Sequence, residues 1–198
     1  VLNFMNKKEF ESVLMANETI NATVVFISIC YFTSISETES PDTIVELLNK
    51  YFDVMVKEII EQNGYIDKFI GHTLMAVFRG DFHLDRAIDA CLSLCTQIEK
   101  FTTPFTDASA SHQVAIGINC GDLISGNIGS AQLRRLDYTV IGDVVNTAQR
   151  LQGVAKAGQI LIGQCAYDQV KESFNCQPVG EVSLKNKLNP VMVYEVLA

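Results

Sequence analysis

Apolar residues along this chain recur in two distinct periods. Thr23 to Ile29 is an almost unbroken apolar, largely β-branched run, which predicts a buried strand. Ser40-Pro41-Asp42 then supplies a side-chain cap, a proline at the first helical position and an early acid. Behind it Ile44, Leu47, Leu48, Tyr51, Phe52, Met55, Ile59 and Ile60 return at three- and four-residue spacings. That spacing predicts a long amphipathic helix ending near Asn63-Gly64. Tyr65 to Ile70 and Thr73 to Phe78 read as two strands joined through Gly71-His72, a hairpin. A second helix carries Leu84, Ala87, Ile88, Cys91, Leu92, Cys95 and Ile98 on one face.

Gln113 to Ile118 reads as a further strand, and Gly121, Gly126 and Gly129 punctuate the next stretch. Tyr138 to Ile141 is a short strand and Val144 to Leu151 a helix; Ile160 to Ile162 and Val191 to Leu197 are late strands. The opening order of strand, helix, hairpin, helix, strand matches a ferredoxin-like βαββαβ plan. The expected class is therefore α+β, with extra strands and helices at the C-terminal end.

Composition narrows the picture. The 198 residues suit one domain, with residues 1–22 as a lead-in segment. A chain that is 48% hydrophobic and 19% charged buries a core and is not disordered. The net charge of −8 argues against a nucleic-acid surface, yet a few placed Lys and Arg residues suffice to hold one triphosphate. None of the cysteines (Cys30, Cys91, Cys95, Cys120, Cys165, Cys176) forms a Cys-x-x-Cys pair, so they read as buried thiols of a reducing compartment. No run is long enough to span a membrane, and no signal peptide is visible. The expectation is a cytoplasmic domain without membrane contact of its own, excised from a larger sensor or tethered protein.

The chemistry-bearing motifs lie together in the second half. Gly126-Asn127-Ile128-Gly129-Ser130 precedes Leu136-Asp137-Tyr138-Thr139-Val140-Ile141-Gly142-Asp143-Val144-Val145-Asn146-Thr147-Ala148-Gln149-Arg150-Leu151. Val114 to Gly121 comes before them, and Leu184-Lys185-Asn186-Lys187 with Val193-Tyr194-Glu195-Val196 closes the chain. In this order the motifs resemble the bacterial-type signature of class III nucleotidyl cyclases, which convert ATP or GTP to a cyclic monophosphate. The resemblance runs from about Thr23 to the C-terminus and implies a head-to-tail dimer with each active site built across the interface.

By that resemblance, Lys68 falls at the purine-reading lysine and Thr139 at its partner position, a combination similar to the ATP-selective type. Asn146 and Arg150, four apart on one helix face, fall at the ribose-positioning and transition-state residues. Lys185 matches the lysine that grips the terminal phosphates, with Lys187 a competitor for the role. Phe32 and Thr33 match the phosphate-cradling turn. Read from the residues alone, Lys68, Lys185 and Arg150 are equally ordinary solvated side chains, and Thr139 an ordinary strand residue.

Two positions break the pattern. Ser28 and His72 stand where the family carries the aspartates that hold two divalent cations. A hydroxyl and an imidazole do not replace two carboxylates for a hard cation. If the ions are worth ~5 kcal/mol in the transition state, their loss costs three to four orders of magnitude in rate. Tyr31 also replaces a glycine usual beside the Phe of the phosphate turn. A softer ion on Ser28, His72 and Cys30 is a minor alternative.

The chain is therefore expected to bind no metal by its own residues, with Mg²⁺ or Mn²⁺ entering only on a partner's aspartates. The expected partners are ATP or a related nucleotide and another cyclase domain, a heterodimer being preferred over a homodimer. Three readings remain: a half-enzyme that completes a partner's site, a catalytically inactive nucleotide-binding or dimerisation module, and an active homodimer. The last puts the broken half into both of its sites.

Overall fold

The computed structural model describes residues 17–101, 113–130, 135–185 and 189–198. Their order begins β1 (Asn17–Ile29), α1 (Phe32–Thr38), α2 (Pro41–Glu61), β2 (Tyr65–Ile70), β3 (Thr73–Arg79), α3 (His83–Glu99), β4 (Val114–Ser130). It continues β5 (Arg135–Ile141), α4 (Asp143–Val154), β6 (Ile160–Gly163), α5 (Gln164–Val170), β7 (Cys176–Val182) and β8 (Val191–Val196). The strands form one sheet in the order β2-β3-β1-β4-β6-β8-β7, with β5 paired to β4. The first four strands keep the order that a βαββαβ unit requires, so the ferredoxin-like expectation holds.

β1 is the central organiser. It begins at Asn17 rather than at Thr23 and pairs antiparallel with both β3 and β4. From Ala22 to Ile29 every residue is buried, because both faces of this strand are covered. Val25, Ile27 and Ile29 join the larger core against α2 and α3, while Ala22, Val24 and Phe26 face a second cluster with Met75, Val77, Leu123, Val140 and Ala148 of α4. The two long helices thus share one face, and α4 covers part of the other.

α2 starts where the cap predicted, with the Thr43 amide donating to Ser40 Oγ at 3.3 Å. Leu47, Tyr51, Met55 and Ile59 are buried, but Ile60 is 57% exposed, contrary to the expected stripe. Successive helical residues point about 100° apart, so Ile59 and Ile60 cannot both face the sheet. Glu58 is buried instead, where it accepts a 2.5 Å hydrogen bond from Ser93 of α3. On α3, Leu94 is buried and Leu92 and Cys95 only partly so, a shift of the expected stripe.

β4 is longer than the sequence suggested. Gly121, Gly126 and Gly129 lie inside it rather than ending it. Gly117 has a packing reason: a Cβ there would run into the Ala148 carbonyl and the Gln152 amide of α4. The missing side chain lets α4 lie directly on the strand. Three elements had no counterpart among those expected from the sequence: α1, α5 and β7. The cysteines are also less uniform than expected, since Cys91 and Cys120 are buried and Cys165 is exposed.

Candidate functional site

β1 and β3 bring Ser28 directly opposite Thr73. Both belong to the sheet face away from α2 and α3, in step with Phe26 and Met75. Ser28 is buried, and its Oγ accepts a hydrogen bond of 3.0 Å from Thr73 Oγ1. His72 sits in the turn just before, pinned by its own carbonyl, which accepts from the Ile29 amide at 3.2 Å. Its ring stacks on Phe32 at 4.8 Å between centroids, the planes only 13° apart. Ser28 thus bonds Thr73, and His72, the residue before Thr73, stacks on Phe32, so hydroxyl and ring are each engaged within the chain.

The turn after β1 is held differently on its two sides. The Cys30 amide donates to Gln113 O at 3.0 Å, and Tyr31 adopts a left-handed φ of 59° as it caps α1. That conformation suits glycine, and a tyrosine there carries strain. Tyr31 is 61% exposed, so little packing offsets it. Thr33 is exposed one residue beyond Phe32.

A second group forms on β2 and β5. The Thr139 hydroxyl donates to Asp67 Oδ2 at 2.8 Å, and Lys68 Nζ lies 3.3 Å from the same oxygen. The Asp67 side chain is fully buried and that of Lys68 is 40% exposed. The two residues expected to read a purine thus share one carboxylate. Beside them a small open cavity of about 90 Å³ is lined by Tyr65, Asp67, Ser125, Tyr138 and Thr139 among others. Ser125 donates to the Tyr138 hydroxyl at 2.7 Å on its wall.

Asn146 and Arg150 lie one turn apart on α4, the first exposed and the second half-buried. Lys185 is exposed beyond β7, and Lys187 lies outside the described residues. These three stand on elements separate from the Lys68–Thr139 pair. Among the described residues no three His, Cys, Asp or Glu side chains group to hold a metal, Cys30 included. Also among them, no helix is long and apolar enough to cross a membrane.

The model of the adenylate and guanylate cyclase catalytic domain matches residues 14–197, nearly the whole chain. The chain belongs to this family. An adenylate cyclase of Anabaena cylindrica is 34% identical over 193 residues, covering 92% of this chain but 38% of that protein. The cyclase domain thus spans well under half of that curated relative. Adenylate cyclase 1 of Rhizobium meliloti is 29% identical over 88% of this chain and 27% of its own length.

Solved cyclase domains share the fold closely. The adenylyl cyclase CyaB of P. aeruginosa superposes with a TM-score of 0.81 at 30% identity, over 93% of this chain and 97% of that one. The guanylate cyclase domain of a Catenaria anguillulae protein, solved with GTP, gives 0.82 at 28% identity over 91% and 98%.

Sequence reasoning passed over Asp67 in this cyclase domain. Its carboxylate is what joins Lys68 to Thr139. An acid inside an apolar strand was the available signal, since such groups are rarely buried without a task.

Proposed function

We propose that this domain supplies the nucleotide-holding half of a composite cyclase site and relies on an aspartate-bearing partner domain for the other half. The observation that carries this reading is the contrast between the two groups. On β1 and β3 the hydroxyl of Ser28 is taken up by Thr73 and the ring of His72 by Phe32. On β2 and β5, Lys68 and Thr139 are assembled beside a cavity.

The donor set on the first group does not suit a hard divalent cation, which seeks several carboxylate or carbonyl oxygens. One neutral hydroxyl and one stacked imidazole supply neither the charge nor the oxygen count. No step of the reaction is therefore assigned to a cation held by these residues. The roles of this chain are binding and charge stabilisation. Lys68 donates to a ring nitrogen of the purine, and Asn146 holds the ribose. Lys185 meets the terminal phosphates. Arg150, with its planar fork, meets phosphoryl oxygens as their charge grows, where a preorganised donor has most effect on rate.

A contact surface for the partner is available. Ile124, Ile128 and Ile141 are all more than two-fifths exposed along the paired strands β4 and β5. Apolar exposure of this extent on neighbouring strands supports association.

Complementation tests the reading. The isolated domain should form negligible cyclic product from ATP with Mg²⁺ or Mn²⁺. Mixing it with a cyclase domain that keeps its aspartates but lacks its own purine-reading lysine and catalytic arginine should restore turnover. Arg150→Ala in this chain should abolish the gain. Robust turnover by the isolated domain sinks the proposal. ATP binding without any complementation would leave a nucleotide-binding or dimerisation module in its place.

A further inference from the structure

β2 and β3 do not pair evenly. Tyr65 and Ile66 lie opposite Val77 and Ala76, but Lys68 lies opposite Met75, so Asp67 is an extra residue in a β-bulge. In an even strand Lys68 would share a face with Ile66, which packs against the core under α2 and α3. The inserted residue reverses that alternation and turns Lys68 to the face of Met75 and Val77. Asp67 is turned into the same cavity as Thr139.

The Asp67 carboxylate is unevenly used. Oδ2 accepts from Thr139 and faces Lys68 Nζ, whereas Oδ1 is buried with no hydrogen-bond partner. A buried acceptor left open is costly and calls for a donor. We propose that Asp67 is a base-reading residue, whose Oδ1 accepts the 6-amino N–H of adenine while Oδ2 holds Thr139 and Lys68. This rests on the nucleotide-holding role proposed above and names its specificity.

Hydrogen-bond inventory favours adenine. The group offers the unpartnered acceptor Asp67 Oδ1 next to the donor Lys68 Nζ. The adenine edge presents one amino donor next to one ring-nitrogen acceptor and matches both. Held in the same pose, guanine turns its carbonyl oxygen toward Asp67 Oδ1 and its ring N–H toward Lys68 Nζ, so both contacts are lost. An unmatched buried donor disfavours the wrong base far more than a missing methylene does.

The test is calorimetric titration of the chain with ATP, purine riboside triphosphate (which lacks the 6-amino group) and GTP. ATP should bind roughly tenfold or more tighter than the analogue, as expected for a hydrogen bond to a carboxylate. Asp67→Ala should bind ATP and the analogue alike. Arg150→Ala should weaken both equally, because it touches phosphate rather than base. If wild type binds ATP and the analogue alike, or prefers GTP, the base-reading role is overturned while nucleotide holding stands. The role is overturned equally if Asp67→Ala weakens both nucleotides by one factor, since that marks mere support of Lys68. If Asp67→Ala fails to fold, the wild-type comparison of ATP with the 6-amino-less analogue still decides. If none of the three nucleotides binds, this inference falls together with the reading it rests on.

Discussion

Replacing Ser28 and His72 together by aspartate should make the stability and activity of this domain depend on a divalent cation. Ser28 is 7% exposed and faces Thr73 across the strand pair, while His72 is tied by its carbonyl to the amide of Ile29. Two carboxylates placed there sit on β1 and in the turn that leads into its partner β3. At about 5 Å and an effective dielectric near 20, two like charges repel by about 3 kcal/mol. The stacking of His72 on Phe32 is lost as well. In a domain of this size, roughly 2–4 °C of melting temperature is lost per kcal/mol, so the double variant in EDTA should melt on the order of 10 °C lower. A divalent cation at a hundredfold its dissociation constant should return about 2.7 kcal/mol, most of the loss. The parent should respond to neither EDTA nor Mn²⁺. Thermal melts with and without the ion read the stability, and conversion of ATP to cyclic product reads the function. The activity gain should approach three to four orders of magnitude if the ions are worth ~5 kcal/mol in the transition state. An unchanged melting temperature in EDTA, or no recovery with Mn²⁺, refutes the claim that these positions form a lapsed cation site. Recovery of stability without product would move the fault to the strained turn at Tyr31.

Tyr31→Gly should raise stability by up to about 1 kcal/mol, since a left-handed tyrosine costs ~1–2 kcal/mol and glycine's extra chain entropy returns only part of that. A lower melting temperature would show that the exposed Tyr31 ring does more than its exposure suggests. His83 has its pKa lowered, first by burial and then by the Arg86 charge, with Asp85 opposing. Its Nδ1 lies 2.7 Å from the Thr23 hydroxyl and its Nε2 3.0 Å from Asn21 Oδ1. The unfolded chain then binds more protons than the folded one just below the ordinary value of about 6.5, so stability should fall as pH drops through that point. Urea titrations from pH 8 to 5 should show this limb, and His83→Gln should flatten it; equal slopes in both proteins would exclude His83 as its source. Gly117→Ala should destabilise the domain by about 1–3 kcal/mol by forcing α4 away from β4, as urea unfolding would show. A loss within about 0.5 kcal/mol, the range of ordinary surface changes, would mean that α4 yields easily.

Elements whose signal is local were legible before the fold was known. The cap at Ser40, the stripe along α2 and the β-branched run of β1 each state their own conformation. β4 misled because its glycines read as breaks, and Gly117 is small for the sake of a helix some thirty residues further along the chain. α1, α5 and β7 were missed because none carries a long period. In the site, the chemistry of each side chain was legible but its company was not. Lys68 and Thr139 were named from a motif, whereas the carboxylate that joins them came to notice only through its burial.

Sequence alone determined the family, the α+β plan and the fact that Ser28 and His72 carry no carboxylate. These depend on residue identity and order, which the chain states directly. Tertiary structure decided that Ser28 accepts from Thr73, that His72 stacks on Phe32, that Asp67 lines the cavity, and that Lys68 lies on the sheet face of Met75 rather than on that of the larger core. The physical reason is register. In a strand, one inserted residue sends every later side chain to the other face, and only the pairing of β2 with β3 shows where that residue sits.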